Sequence, residues 1–421
     1  MIRKLRTMGS TRALIAVLLA FSVVAAACGS DDDGDAGSTT EAPSAVTAAP
    51  SDVTAAPSDD TATPSDDTDA PSDNTEPEMT EAPAPAEPEV DSVVYSGVTP
   101  NAGNWPMQIG VEKGFFEDFG LPTEMIFSAS SPAALAALIG GSVQFTSVVY
   151  GSAILANDVD KDVIMVADGY RGFPFDLIVG KDIETFEDLR GATCGANNPP
   201  GIGDALYIEA MIEAGSDGAL QYPGDFDLVN VKLEGASSLG ALEAGSVQCI
   251  TSLPPVSALL QNEGYPALYQ LELVPRFQNL SFFGVSVLDS WASENPIATR
   301  AWLKGYMKSI AWLYDPANKD KAVAILGKNA DIDVETAEAA YVWVDRGGYP
   351  RDGLIASDII PRIIEVQRGS AGSRGLPDDF PEDVPGLVDN SYVQQAWDEL
   401  PDSIKDGVGP FGMLPEIQVP A

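Results

Sequence analysis

The residues able to do chemistry in this chain form a restricted set, because its 421 residues include no histidine. A Ser-His-Asp triad, a Cys-His nucleophile and an imidazole metal site are therefore excluded. Three cysteines, Cys28, Cys194 and Cys249, and dispersed carboxylates form no catalytic cluster. What remains is the chemistry of non-covalent capture. The candidate groups are the hydroxyls of Ser128, Ser130, Ser147, Thr251 and Ser252, the amides of Asn104, Asn197 and Asn198, and the rings of Trp105 and Tyr150. Arg171 supplies a cation, Asp168 and Asp204 supply acids. An anionic ligand would use Arg171 and the backbone N–H groups where the loop 197–203 enters a helix. A cationic or amino-heterocyclic ligand would use Asp168 or Asp204, with Trp105 or Tyr150 stacking on it. Each has a plainer alternative: the two aromatics can be core residues, the three charges solvated surface groups, and 197–203 an ordinary turn. The loops hold more aromatics than cations, which favours a small heteroaromatic or other organic ligand. No metal, cofactor or catalytic residue is expected.

These groups fall at the ends of short β-rich runs that alternate with helical runs. Strands are predicted at 90–98, 122–130, 143–149 and 162–170, with helices at 105–119, 131–140 and 151–157 between them. That alternation implies βαβ units and largely parallel sheets, an α/β fold. An internal echo doubles the pattern. Residues 135–144 read LAALIGGSVQ and residues 239–248 read LGALEAGSVQ, seven identities in ten at an offset of 104. Two similar lobes of about 100 residues follow from it. Ligands of open α/β sheets sit at the carboxyl ends of strands, so two such lobes facing each other make a cleft. Ser147 and Thr251 occupy equivalent strand ends in the repeat. The second lobe opens at a capping-box-like Thr185-Phe186-Glu187-Asp188, with strands near 192–195, 227–233, 248–252, 268–274 and 281–288. Beyond Asn295 the chain reads as helical, at 296–315, 331–344 and 357–366, its large aromatics spaced for helix packing.

The formal net charge of −40 makes the chain a poor binder of nucleic acid. The charge is unevenly placed. Residues 1–27 carry Arg3, Lys4, Arg6 and Arg12, then an apolar run at 13–27 too short to span a bilayer stably, a signal peptide. It ends Ala-Ala-Ala-Cys28-Gly, and small residues before a cysteine resemble the bacterial lipobox, which implies lipidation of Cys28. Residues 28–91 follow as a tether. It has 18 acidic residues, no Lys or Arg, no aromatic, and a seven-residue repeat with a proline in each unit (Pro50, Pro57, Pro64, Pro71). It cannot bury enough surface to offset ordering entropy, and coil scaling gives it roughly 45 Å end to end.

From Asp91 on, several short stretches resemble one known fold family. They are Gly110-Val111-Glu112-Lys113-Gly114-Phe115-Phe116 with Gly120-Leu121-Pro122, the helix exit at 134–144, Asp188-Leu189-Arg190-Gly191, and Asn295-Pro296. Together they resemble the type 2 periplasmic binding proteins, in the subgroup of taurine, alkanesulfonate, nitrate and thiamine-pyrimidine binding proteins. Gly110, Gln144, Gln248 and Ala192 depart from its pattern. The resemblance implies a lobe 1 at 92–181 and 281–421, an inserted lobe 2 at 182–280, and two crossover strands with hinges near 175–181 and 279–284. It also implies cleft loops at 99–105, 128–131, 147–151, 195–204 and 251–255, with 168–175 near the hinge. Capture of a small molecule for an ABC permease, at the outer face of the membrane, is the implied role. The alternatives are a receptor signalling to a membrane partner and an enzyme like the thiamine-precursor relatives, whose histidines are absent here. Cys194 and Cys249 would lie on neighbouring strands of lobe 2. A disulfide is permitted outside the cytoplasm, though adjacent parallel strands are poor geometry for one, and the pairing stays open.

Overall fold

The structure is a computed structural model that describes residues 87–406 except 160–161, 197–203, 232–234, 369–375 and 378, together with 408 and 412. Cys28 and the tether up to residue 86 lie outside the described residues. Among the described residues, ten strands form two five-stranded mixed sheets. The first has the order β2-β1-β3-β10-β4, from β1 (Val93–Gly97), β2 (Thr123–Phe127), β3 (Phe145–Val149), β4 (Val163–Arg171) and β10 (Ser281–Leu288). The second has the order β7-β6-β8-β5-β9, from β5 (Asp176–Val179), β6 (Thr193–Ala196), β7 (Asp227–Asn230), β8 (Cys249–Ser252) and β9 (Ala267–Gln270). In each sheet the first three strands are parallel and the fourth is antiparallel to both neighbours. The two sheets thus share one topology, and the antiparallel strand of each is the one that crosses over from the other lobe.

The crossovers refine one expectation. β5 belongs wholly to the second sheet, pairing with β8 and β9, so 176–179 is lobe 2 sheet and not hinge. The first link between the sheets is the short stretch 172–175.

Helices accompany the strands: α1 (Trp105–Lys113), α2 (Ser131–Ile139) and α3 (Tyr150–Val159) in lobe 1, then α4 (Asp204–Gly215), α5 (Gly235–Glu243) and α6 (Val256–Asn262) in lobe 2. Pro132 near the start of α2 and the Ser130 hydroxyl, which accepts from Ala133 N, fix where that helix begins. The predicted helix 105–119 instead stops at Gly114, whose φ of 71° ends α1 in the left-handed region. The later helices are α7 (Asp289–Glu294), α8 (Pro296–Tyr314), α9 (Lys319–Ala330), α10 (Val334–Glu338), α11 (Val342–Asp345), α12 (Ile359–Arg368) and α13 (Ser391–Glu399).

The internal echo has a mechanical meaning. In lobe 1 the Gln144 side chain accepts from Val94 N on β1 (2.9 Å) and donates to Gly141 O (3.4 Å). In lobe 2 Gln248 does the same with Thr193 N on β6 (2.9 Å) and Gly245 O (3.1 Å). Ser142 and Ser246 donate to Ala137 O and Ala241 O, each at 3.0 Å. The shared GSVQ is a joint that ties the end of a helix to the middle one of the three parallel strands of its sheet.

The lobe 1 core is built on Trp302 of α8. Its ring lies 4.4 Å from Phe145 at 9°, and stacks also on Phe116 and Tyr95. Residues from 348 onward cover the edge strand β4: Asp168 N donates to Gly353 O, Arg171 N to Gly348 O, and Met165 N to Leu387 O. An exposed edge in this sheet is thereby closed.

Candidate ligand-binding cleft

The carboxyl ends of β1 and β3 carry a buried polar row on lobe 1. The Tyr95 hydroxyl donates to Asn104 Oδ1 (2.6 Å) and shares a hydrogen bond with Ser147 Oγ (2.5 Å). Asn104 Nδ2 donates to Thr99 O, which fixes the loop between β1 and α1. Burial pushes the Tyr95 phenol well above its ordinary value, so it stays protonated and can donate. Ser128 pairs with the Ser96 hydroxyl at 2.8 Å. Asn104 and Ser147 are therefore joined through Tyr95, while Ser128 bonds to Ser96, the next residue along β1 and on its other face.

Three expectations need correction. Trp105 does not face the cleft. It is fully buried in lobe 1, its indole N–H donates to Ala322 O on α9 (2.9 Å), and its ring meets Tyr341 edge-on. The helix that starts at Trp105 turns that side chain toward α9, where an apolar wall and one carbonyl satisfy it. Asp168 is not an open acid either. It is fully buried, accepting from Tyr150 OH (3.0 Å) and Ser281 Oγ (2.8 Å). Burial raises its carboxyl to about 6, with the Ser281 hydrogen bond, the nearby Arg171 charge and the Tyr150 hydrogen bond working against the rise. Ser130 caps α2 and is spent on that task. Tyr150 has its hydroxyl committed to Asp168, and only its ring reaches the cleft. Arg171 is half-buried at the end of β4, and its Nε has no hydrogen-bond partner among the described residues.

On lobe 2, Thr251 and Ser252 end β8, both buried, and the Thr251 hydroxyl has no partner among the described residues. Asn197 and Asn198 lie outside the described residues. Asp204 opens α4, but its side chain lies outside them also. Cys194 and Cys249 are register partners on β6 and β8, with Cα atoms 4.5 Å apart, and their sulfurs form a disulfide. Direct register pairing brings two parallel strands close enough for it, at the short end of the usual Cα separation.

Between the lobes lies a narrow crevice, partly open to solvent, whose cavity volume of about 20 Å³ has room for about one water molecule. Tyr150 lines it from lobe 1 and Tyr207 of α4 from lobe 2, while Phe173 and Phe277 come from the links, Phe282 from the start of β10 and Gln367 from α12. The rings meet mostly edge-on: Phe173 is 5.5 Å from Tyr207, 5.4 Å from Phe277 and 5.3 Å from Phe282. Such edge-to-face sets are favourable, and here they pack Phe173, Tyr207 and Phe277 almost fully out of water. Apart from Tyr150, these residues were not among the candidates. The signal is the aromatic density of 170–175 and 277–283, two stretches at or beside the expected hinges.

A second buried polar group lies where the two lobes meet. Asp176, nearly buried at the start of β5, accepts from Gln270 (2.9 Å). Beside it Glu272 (3% exposed) receives the guanidinium of Arg346 from lobe 1. Burial raises both carboxyls, against the opposing Gln270 hydrogen bond for Asp176 and the Arg346 charge for Glu272. None of these residues was singled out, because pattern reading places an acid on a strand but not the cation it meets across a cleft.

The NMT1-like family profile matches residues 87–327, more than half of the chain. The chain belongs to the NMT1-like family. Similar to this NMT1-like chain is the formylaminopyrimidine-binding protein of Halalkalibacterium halodurans, 22% identical over 241 residues, which are 55% of this chain and 68% of that protein. Among solved structures, the ligand-binding component of an ABC-type import system from Staphylococcus aureus superposes with a TM-score of 0.59 at 14% identity, covering 73% of this chain and 99% of that one. The nitrate-binding protein of Synechocystis gives 0.60 at 16% identity, covering 76% and 92%. These likenesses establish for the NMT1-like chain the two-lobed α/β fold of binding proteins.

Proposed function

We propose that this chain is an extracytoplasmic solute-binding protein that captures a small, planar organic molecule in the interlobe crevice and delivers it to the permease of an ABC importer. The observation that carries the reading is the crevice itself: a narrow gap between two lobes linked by short stretches, lined by rings from both lobes, which opens to admit a guest. Family membership and the import-system protein among the fold relatives support the transport role. The aromatic lining favours a heteroaromatic guest over an inorganic anion, and a relative named for binding a formylaminopyrimidine agrees. No catalytic residue is assigned.

Anchoring by lipid at Cys28 belongs to the same proposal, supported by the charged and apolar leader and by the tether that follows it. Among the described residues no helix is long and apolar enough to cross a membrane, and a lipid would supply the attachment. Replacing Cys28 by Ala is expected to move the protein from the membrane fraction to the soluble one; unchanged fractionation would refute the anchor.

The ligand is tested by a thermal-shift screen of the purified chain against pyrimidines, aliphatic sulfonates, nitrate and polyamines. A rise in midpoint with a pyrimidine, lost on Tyr207→Ala, is the expected result. A rise with nitrate or a sulfonate alone would overturn the ligand class, and no rise with any small molecule would overturn the binding role.

A further inference from the structure

Away from the crossovers, one ion pair among the described residues joins the two lobes directly. Glu272 lies in the 3-10 turn Leu271–Leu273 after β9, in lobe 2, and Arg346 follows α11 in lobe 1. Arg346 Nη1 donates to Glu272 Oε1 in direct contact. Both are largely withdrawn from water, with side chains 17% and 4% exposed for Arg346 and Glu272. Asp176 stands close enough that Glu272 feels its charge and it feels that of Arg346. One acid of lobe 2 thus holds the cation of lobe 1 directly, with a second acid near enough to act on it through its charge. The cation is well held on its own side. Its backbone N–H returns to Val342 O, and Gly348 just after it packs so tightly on Tyr170 that a Cβ would come within 2.2 Å of the ring. On the same flank α10 of lobe 1 packs against α6 of lobe 2. Other ion pairs, such as Arg190–Asp225, Arg276–Glu213, Arg300–Glu399 and Lys328–Glu112, each stay within one lobe.

We propose that Arg346 locks the lobes: seated on Glu272, it holds the cleft shut without a ligand, and opening the cleft requires withdrawing it. The physical asymmetry is what gives the lock its force. A complete buried pair contributes modestly against its own desolvation, but removing one member strands the other charge in the closed state alone, since the open state returns it to water. The lock sets how much of the ligand-free protein is already closed, and hence the apparent affinity for whatever enters.

The test uses the purified chain with Cys28→Ser, spin-labelled at Glu263→Cys on lobe 2 and Glu335→Cys on lobe 1, and reads the interlobe distance by pulsed electron resonance in the absence of ligand. The parent should give one short distance. Arg346→Gln, which leaves the buried Glu272 without its cation, is expected to lower the closed-to-open ratio roughly tenfold or more. Glu272→Gln should act in the same direction but less, because the Arg346 side chain is the more exposed of the two and the Asp176 charge still acts on it. The combined E272Q/R346Q variant should be more closed than R346Q alone, the non-additivity of a true pair. Single variants that keep the parent distribution, or effects that simply add, would overturn the lock. The readout needs no ligand, so it stands or falls separately from the transport role.

Discussion

The carboxyl group of Asp168 shows what burial does to a single residue. It titrates near 4 in an unfolded chain and at about 6 in the folded one, because the interior disfavours its charge. Folding therefore favours the protonated form. That contribution to stability is complete below about pH 4, is lost as pH rises through 6, and stays lost above it. The difference between the two titration points is equivalent to roughly 3 kcal/mol. Asp168→Asn removes the titration, so the unfolding free energy of the parent minus that of the variant should fall by about 2 kcal/mol from pH 4 to pH 7, measured in urea; parallel profiles would show that the carboxyl does not carry the effect. Asp168 and Trp105 were both visible as polar or amphipathic residues near strand ends. Their solitude in the sequence gave no sign that Tyr150, Ser281 and Ala322 would satisfy them, since those partners lie 18, 113 and 217 residues away.

Secondary elements were more legible, for the reason that their signals are local. The GSVQ echo pointed to a duplicated unit, and the two sheets share one strand topology with Gln144 and Gln248 in matching roles. Leucine at either position should therefore lower stability by about 1–3 kcal/mol through the unsatisfied strand N–H, with similar losses in both lobes by chemical denaturation. A large loss at one and none at the other would break the equivalence. Gly110 makes the complementary point. It departs from the family pattern, and the structure gives the reason: a Cβ there would come within 2.5 Å of both the Phe116 ring and the Ser309 hydroxyl. Gly110→Ala is expected to destabilise by about 1–3 kcal/mol. Combining it with Phe116→Leu should cost less than the two separate losses together, as thermal unfolding of the three variants would reveal.

For the whole molecule, the organising event is that each sheet borrows its fourth strand from across the links. β5 and β10 carry the chain between lobes and bring Phe173, Phe277 and Phe282 into one crevice. Lobe 2, with shorter strands, is stapled by Cys194–Cys249 across a separation of 55 residues. Peptide mapping without reductant should recover a linked pair, and replacing both cysteines by alanine should lower stability by roughly 2–4 kcal/mol; free thiol at both positions would remove the staple.

The sequence by itself determined the α/β class, the duplicated lobes and the helix starts, because periodicity, capping residues and repeats act over a few neighbouring residues. The charge map was also local: with residues 1–27 at +4 and 29–91 at −18, the remainder carries −26. Which polar groups face the cleft was decided only by the tertiary structure. Facing depends on what packs from distant segments: α9 takes Trp105 inward, β10 takes Asp168, and the residues after α11 send Arg346 across to Glu272. A strand end says that a side chain lies near a cleft, but the partners that the rest of the chain supplies decide whether it is left for a ligand.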